Sequence, residues 1–302
     1  MTFHGYPTKI LQNQYYTLEY MCEAGPRIVR FSLNGWGGNL LAEEPDAGWQ
    51  TPYGAYSLYG GHRLWYAPER EYLTGFPDNQ GLQVEELANS VILKQGVETA
   101  TGLQRSLRVD LEPFSHQVVL THTLTNQSTE EMEIAPWAIT MLPPGGVMIL
   151  PQSDSPQNGS SLLPNRNLVL WPYARWDDKR LTIEEDHLLV TVKRTGKKLK
   201  FGYENSLGWA AYWHEDTLFC KRFEVQSGFA YPDRGCNLEV FLNDQYCELE
   251  SLGPLRRIKP GQCLQHRETW LAYPVGKMPK RDQDAWMVAS NICGLITADR
   301  IN

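Results

Sequence analysis

Short apolar runs separated by polar turns recur along nearly the whole chain. Arg27-Ile28-Val29-Arg30-Phe31-Ser32-Leu33 stops at Asn34-Gly35, and residues 117–124 (QVVLTHTL) run into Asn126-Gln127-Ser128. Residues 187–192 (HLLVTV) and 237–242 (NLEVFL) repeat the pattern, with Arg194-Thr195-Gly196-Lys197 and Asp233-Arg234-Gly235 as turns. Runs rich in β-branched and aromatic residues, bounded by Gly, Asn and Asp, predict strands joined by tight turns. Helical spacing is confined to the C-terminus, where Asp282 is placed to cap a segment with Ala285, Val288, Ala289, Ile292 and Ile296 on one stripe. The stretch from Leu142 to Asn167, rich in Pro, Gly, Ser and Asn, reads as a long loop within one domain. The pattern therefore predicts an all-β antiparallel protein over residues 1–302, a single domain with a short terminal helix.

Composition narrows the function classes. In 302 residues, 28 Lys and Arg stand against 35 Asp and Glu, a formal charge of −7, which offers no electrostatic footprint for nucleic acid. No apolar run approaches the roughly 20 residues of a membrane span, and the first residues lack a basic and then apolar leader, so a cytoplasmic chain is expected. Cys22, Cys220, Cys236, Cys247, Cys263 and Cys293 lie far apart and without zinc-ligand spacing, which predicts reduced, buried thiols. Neither a metal nor a cofactor is expected, and Gly35-Trp36-Gly37-Gly38 has the makeup of a turn and not of a phosphate-binding loop.

Three segments carry candidate chemistry. Tyr59-Gly60-Gly61-His62-Arg63-Leu64-Trp65-Tyr66-Ala67-Pro68-Glu69 concentrates aromatic and ionisable groups behind a glycine pair that permits close approach to a ligand. A sugar presents an apolar C–H face suited to aromatic rings and a rim of hydroxyls suited to Arg, His and carboxylates. In the second segment, strand alternation puts Glu248 and Glu250 on one face, opposite Cys247 and Leu249, and puts His266, Glu268 and Trp270 together against Arg267 and Thr269. Two carboxylates on one dry face raise the pKa of at least one, as a general base requires. The third segment, residues 134–140, is an apolar strand bearing Trp137. Each segment has a plainer alternative: an aromatic core for the first, a solvated carboxylate face and an edge strand for the second, a core strand for the third.

Arg27 in Gly25-Pro26-Arg27-Ile28, the Gly60-Gly61-His62-Arg63-Leu64-Trp65 block, Glu248-Leu249-Glu250-Ser251-Leu252-Gly253-Pro254, and Pro260-Gly261 before His266-Arg267-Glu268-Thr269-Trp270 resemble, in that order, a branch of the galactose mutarotase-like superfamily. The resemblance implies an antiparallel β-supersandwich with a sugar site on a concave sheet. It also implies, by similarity to aldose 1-epimerases, a carboxylate that takes the anomeric hydroxyl proton and a histidine that protonates the ring oxygen. Glu250 matches the carboxylate, with Glu248 second. At the position of the histidine this chain carries Trp137, whose indole N–H only donates. His62, and after it His266, are then the expected acids, with Arg27, Arg63, Trp65, Glu69, Trp137, Glu248 and His266 as sugar-binding candidates. Arg27 and Arg63 suit hydroxyls or an anionic group such as a uronate or phosphate.

The expected partner is thus a small or oligomeric sugar and no nucleic acid or membrane. The reading is an aldose 1-epimerase-type isomerase working by Glu/His acid–base ring opening. Its alternatives are a non-catalytic sugar binder or sensor, favoured by Trp137, and, below both, a polysaccharide lyase or hydrolase-related protein.

Overall fold

The alternating runs form strands where the sequence pattern places them: Arg27–Leu33, Val118–Asn126, His187–Thr191 and Leu238–Leu242. The structure, a computed structural model, describes residues 1–36, 38–152 and 164–294. Among these residues the strands build an eleven-stranded sheet, a ten-stranded sheet and a separate hairpin, with every pairing antiparallel.

The larger sheet runs Thr2–Phe3, Tyr6–Gln12, Tyr16–Met21, Arg27–Leu33, His62–Ala67, Met132–Leu142, Cys247–Leu252, Leu238–Leu242, Leu199–Tyr203, Val169–Leu170, with Arg256–Ile258 added beside the start of Met132–Leu142. The second runs Leu181–Ile183, His187–Thr191, Val147–Pro151, Trp209–His214, Thr217–Phe223, Cys263–Pro274, Val118–Asn126, Leu103–Asp110, Ser90–Lys94, Gln83–Glu86. The inner faces meet in one apolar core that includes Tyr16, Phe31, Phe201, Phe219 and Trp270. Alternation puts every second residue of a strand into that core, and burial of such side chains stabilises each by roughly 1.5–3 kcal/mol.

Both outer faces are covered as well. Over the larger sheet, the hairpin Glu43–Thr51 and Gly54–Gly60 joins Tyr56 and Leu58 to Trp65, Trp137, Ile139 and Met141. Over the smaller sheet lies the helix Asp282–Gly294, whose Ala285, Ala289 and Cys293 pack on Ile149, Trp209, Trp213 and Leu218. Arg222 closes that helix by donating from Nε and Nη2 to the carbonyls of Cys293 and Ile292, groups that the last turn leaves unpaired. Because both faces of each sheet are covered, central strands such as Met132–Leu142 are buried at consecutive positions. No helix is long and apolar enough to cross a membrane.

Several expectations are corrected. Asp282 is the first helical residue, with the Arg281 carbonyl accepting the Ala285 N–H; its carboxylate sits in the first turn, where the helix dipole favours it. Ile296 lies outside the described residues. Within the expected loop Leu142–Asn167, Val147–Pro151 is a strand, an apolar VMILP run masked by its Pro-Gly surroundings, and residues 153–163 lie outside the described residues. Cys220 and Cys293 are not free thiols: their sulfurs are bonded, with Cα atoms 6.0 Å apart, joining the helix to strand Thr217–Phe223. The Gly60-Gly61 pair approaches its own backbone and not a ligand. A Cβ would stand 2.2 Å from the Ala42 carbonyl oxygen at Gly60 and 2.1 Å from that of Ile28 at Gly61, and both residues have positive φ. The strand bearing His266 is interior to its sheet, between Thr217–Phe223 and Val118–Asn126, and is no edge.

Candidate functional site

The outer face of the larger sheet gathers five ionisable side chains from four strands. In register, Ile139 lies between Arg63 and Glu250, and Glu250 faces Glu239. One step along, Glu248 faces Phe241 and Phe241 faces Lys200. Since side chains alternate, Arg63, Glu248, Glu250, Glu239 and Lys200 all point outward while Leu64, Leu249, Val240 and Phe201 point into the core.

The contacts are close. Arg63 donates from Nη2 to Glu248 Oε1 at 2.8 Å and stacks over Trp65 at 4.5 Å. Trp137 donates its indole N–H to Glu250 Oε2 at 2.7 Å, and Lys200 Nζ donates to the same oxygen at 3.1 Å. Lys200 also pairs with Glu239 at 3.0 Å, and its ammonium lies 4.5 Å from the Trp137 ring and 4.7 Å from that of Trp171. Gly202 makes room for Glu239: a Cβ there would meet Glu239 Cγ at 2.9 Å and Cys236 Sγ at 2.8 Å.

Burial sets the protonation of these groups. It pushes the carboxyl of Glu239 well above its ordinary value, against the pull of Lys200, and raises Glu248 despite Arg63. Burial also works against the Lys200 ammonium, but Glu250 and Glu239 outweigh it and hold the charge on. Tyr173, half-exposed beside the cluster, is pushed up to about 12 by burial, with Glu250, Glu69 and Glu248 adding to the rise. Glu69 itself is exposed.

The histidines lie on the other side of the sheet. His62 points inward from the residue next to Arg63, with Nε2 2.7 Å from His122 Nε2 and Nδ1 2.9 Å from Thr140 Oγ1. His122 donates from Nδ1 to the His266 carbonyl at 3.0 Å, so its Nε2 accepts from His62, whose Nδ1 in turn accepts from Thr140. His266 Nε2 meets Ser251 Oγ at 2.6 Å, and Ser251 donates to Glu268 at 2.5 Å. Glu268 also receives Lys221 Nζ at 2.9 Å and the Trp270 indole N–H at 2.8 Å. Burial keeps all three histidines below their ordinary pKa, His266 at about 3. His62, His122 and Glu268 present ligand atoms within 4.8 Å of one another, a spacing open to a metal ion, but every polar side-chain atom of these three residues already has a protein partner.

The structure therefore brings Glu248, Glu250, Arg63, Trp65 and Trp137 together and separates His62 and His266 from them. The expected Glu250–His62 pair is not formed, because consecutive residues of a strand face opposite ways. Arg27 faces outward beside Arg63, but its guanidinium is wholly buried and committed to the hairpin: it donates to Leu58 O, Ser57 O, the Tyr56 hydroxyl and Asp78.

No family model matches the sequence, and no curated protein matches it. Solved structures do. A putative aldose 1-epimerase from Escherichia coli K12 superposes with a TM-score of 0.56 at 13% identity, over 89% of this chain and 99% of that one. A galactose mutarotase-like protein from Lactobacillus casei ATCC 334 gives 0.54 at 10% identity, over 88% and 100%. The chain has the galactose mutarotase-like fold. The same fold matches half of a longer TPR-domain containing protein from Parabacteroides distasonis ATCC 8503, with a TM-score of 0.59 at 12% identity and 92% of this chain covered. On this galactose mutarotase-like scaffold, sequence reasoning missed Lys200, Glu239 and Trp171. Lys200 and Glu239 each interrupt an otherwise apolar strand, LKFGY and LEVFL, and a charge in such a run is the signal that marks an outward position on a covered face.

Proposed function

We propose that the protein binds a free sugar on the outer face of the larger sheet and interconverts its anomers in the manner of an aldose 1-epimerase, with Glu250 as base. One observation carries the reading. Eleven buried side-chain polar atoms among the described residues lack a hydrogen-bond partner, and five belong to this cluster: Arg63 Nε and Nη1, Glu250 Oε1 and both Glu239 oxygens, of which Oε2 has only its ion pair with Lys200 at 3.0 Å. Buried polar groups are nearly always satisfied, so a concentration of unsatisfied donors and acceptors marks a place for ligand hydroxyls. The histidine network between the sheets contributes none, which separates a binding surface from a structural core.

Trp65 and Trp137, with ring centroids 5.5 Å apart, supply the apolar wall for the sugar C–H face. The ligand class is a neutral sugar. Arg63 and Lys200 are already paired with glutamates, which leaves no spare positive charge for a uronate or phosphate.

Polarimetry or proton NMR of freshly dissolved α-anomers of hexoses, pentoses and uronates tests this directly. Faster mutarotation of a neutral sugar than in buffer is the expected result, lost in Glu250→Gln with sugar affinity retained. A second reading, a binder without turnover, is favoured by the Trp137 N–H that occupies Glu250 Oε2. Ligand-dependent quenching of tryptophan fluorescence without faster mutarotation for any sugar would establish it.

A further inference from the structure

We infer that Glu239 is the proton donor of this site: its carboxyl gives a proton to the ring oxygen while Glu250 takes one from the anomeric hydroxyl. This rests on the epimerase reading and supplies the acid that His62, on the far face of the sheet, cannot.

The argument is one of distribution. Three glutamates share two cations and one indole N–H. Glu248 has Arg63. Glu250 has both the Trp137 N–H and the Lys200 ammonium on a single oxygen. Glu239 has only its share of the same ammonium, on Oε2 at 3.0 Å, and its Oε1 is buried without a partner. A third negative charge in this layer would have no cation of its own, so the proton that neutralises the cluster resides on Glu239. The rise of its pKa with burial points the same way. Two carboxyl groups that reach one ammonium, one ionised and one protonated, form a base and an acid in adjacent register positions.

The step balances. As Glu250 accepts the O1 proton, the C1–O1 bond becomes a carbonyl and the C1–O5 bond breaks. Its electron pair passes to O5, which takes the Glu239 proton. After rotation about C1–C2, Glu239 recovers that proton as O5 attacks the other face of C1, and Glu250 returns its own to O1. Lys200 is a positioning residue in this scheme, holding both carboxyl groups by one ammonium.

The experiment pairs mutarotation rates with infrared difference spectra at neutral pH. In Glu239→Gln the carboxylic-acid C=O band of the wild type should lose intensity, sugar binding by tryptophan fluorescence should persist, and the rate should fall on the order of 100- to 10,000-fold, the usual contribution of a general acid. Glu239→Asp, which keeps an acid but withdraws it, should shift the basic limb of the pH–rate profile, and it serves if the Gln variant fails to fold. An active wild type with an unaltered rate in Glu239→Gln, an unaltered basic limb in Glu239→Asp, or an acid band undiminished in Glu239→Gln overturns the assignment while leaving the epimerase reading in place. A wild type silent toward every sugar overturns both.

Discussion

Replacing Glu268 by Gln tests whether the network between the sheets is structural. In the wild type, one Glu268 oxygen accepts from Lys221 at 2.9 Å and from Ser251 at 2.5 Å, and the other accepts the Trp270 indole N–H at 2.8 Å. Glutamine keeps one acceptor oxygen and brings an NH2 group, so either Lys221 or Trp270 would face a donor with its own donor. The larger loss is electrostatic. Lys221 is wholly buried, and apart from Glu268 its ammonium meets, among the described residues, the carbonyls of Leu249 at 2.9 Å and Ala138 at 3.3 Å. Removing one partner of a buried ion pair costs about 3–5 kcal/mol because the other charge is left uncompensated. Removing both charges in Lys221→Met/Glu268→Gln should therefore recover about 2 kcal/mol or more relative to the sum of the single losses. Urea unfolding followed by tryptophan fluorescence reads all four proteins. A single-mutant cost below about 1 kcal/mol, or additive losses, would refute the reasoning, since a buried pair cannot be both essential and uncoupled.

Three further outcomes are expected. The histidines between the sheets are neutral in the folded protein and charge at about pH 6.5 once unfolded, so stability should hold above pH 6.5 and fall below it, by about 1.4 kcal/mol per pH unit for each histidine until its folded pKa is reached, about 3 for His266. The raised carboxyls of Glu239, Glu248, Glu98 and Glu44 act in the opposite sense, since their folded forms bind protons first. His266→Gln removes one histidine's share, so its urea midpoint should fall less between pH 6.5 and pH 5 than that of the wild type, and equal pH dependence would contradict the neutral assignment. Gly202→Ala should cost about 1–3 kcal/mol and weaken sugar binding, because its Cβ would press on Glu239 and Cys236; thermal melts and ligand titration check it. With Cys220 and Cys293 joined, four of the six cysteines should react with a thiol reagent in denaturant without reductant, and a count of six would exclude the bond.

Period-two alternation was enough to pair Glu248 with Glu250 and His266 with Glu268 and Trp270, because which residues share a face is a local property of a strand. Which face meets which sheet is not local. His62 and Arg63 are neighbours in sequence and belong to different layers, and only the pairing of His62–Ala67 with Met132–Leu142 shows which of them reaches Glu250. Lys200 meets Glu250 across 50 positions, and Arg27 finds Asp78 across 51. Such contacts are fixed by strand order and register, which a single chain does not spell out. The resemblance puts Trp137 at the position of the epimerase histidine, and its hydrogen bond to Glu250 follows only from the register of adjacent strands.

The order of the two sheets also bears on how the protein avoids sticking to copies of itself. Among the described residues the strand order of each large sheet ends in very short strands: Thr2–Phe3 and Val169–Leu170 in one, Leu181–Ile183 and Gln83–Glu86 in the other. A margin of two to four residues exposes only a few backbone groups to an incoming strand, and the longest of the four carries Glu85 and Glu86. The long, apolar strands that would template aggregation, such as Met132–Leu142 and Cys263–Pro274, each have a neighbour on both sides. Lengthening a margin, by extending the Gln83–Glu86 strand with alternating valines, would then raise aggregation without touching the core or the sugar-facing layer.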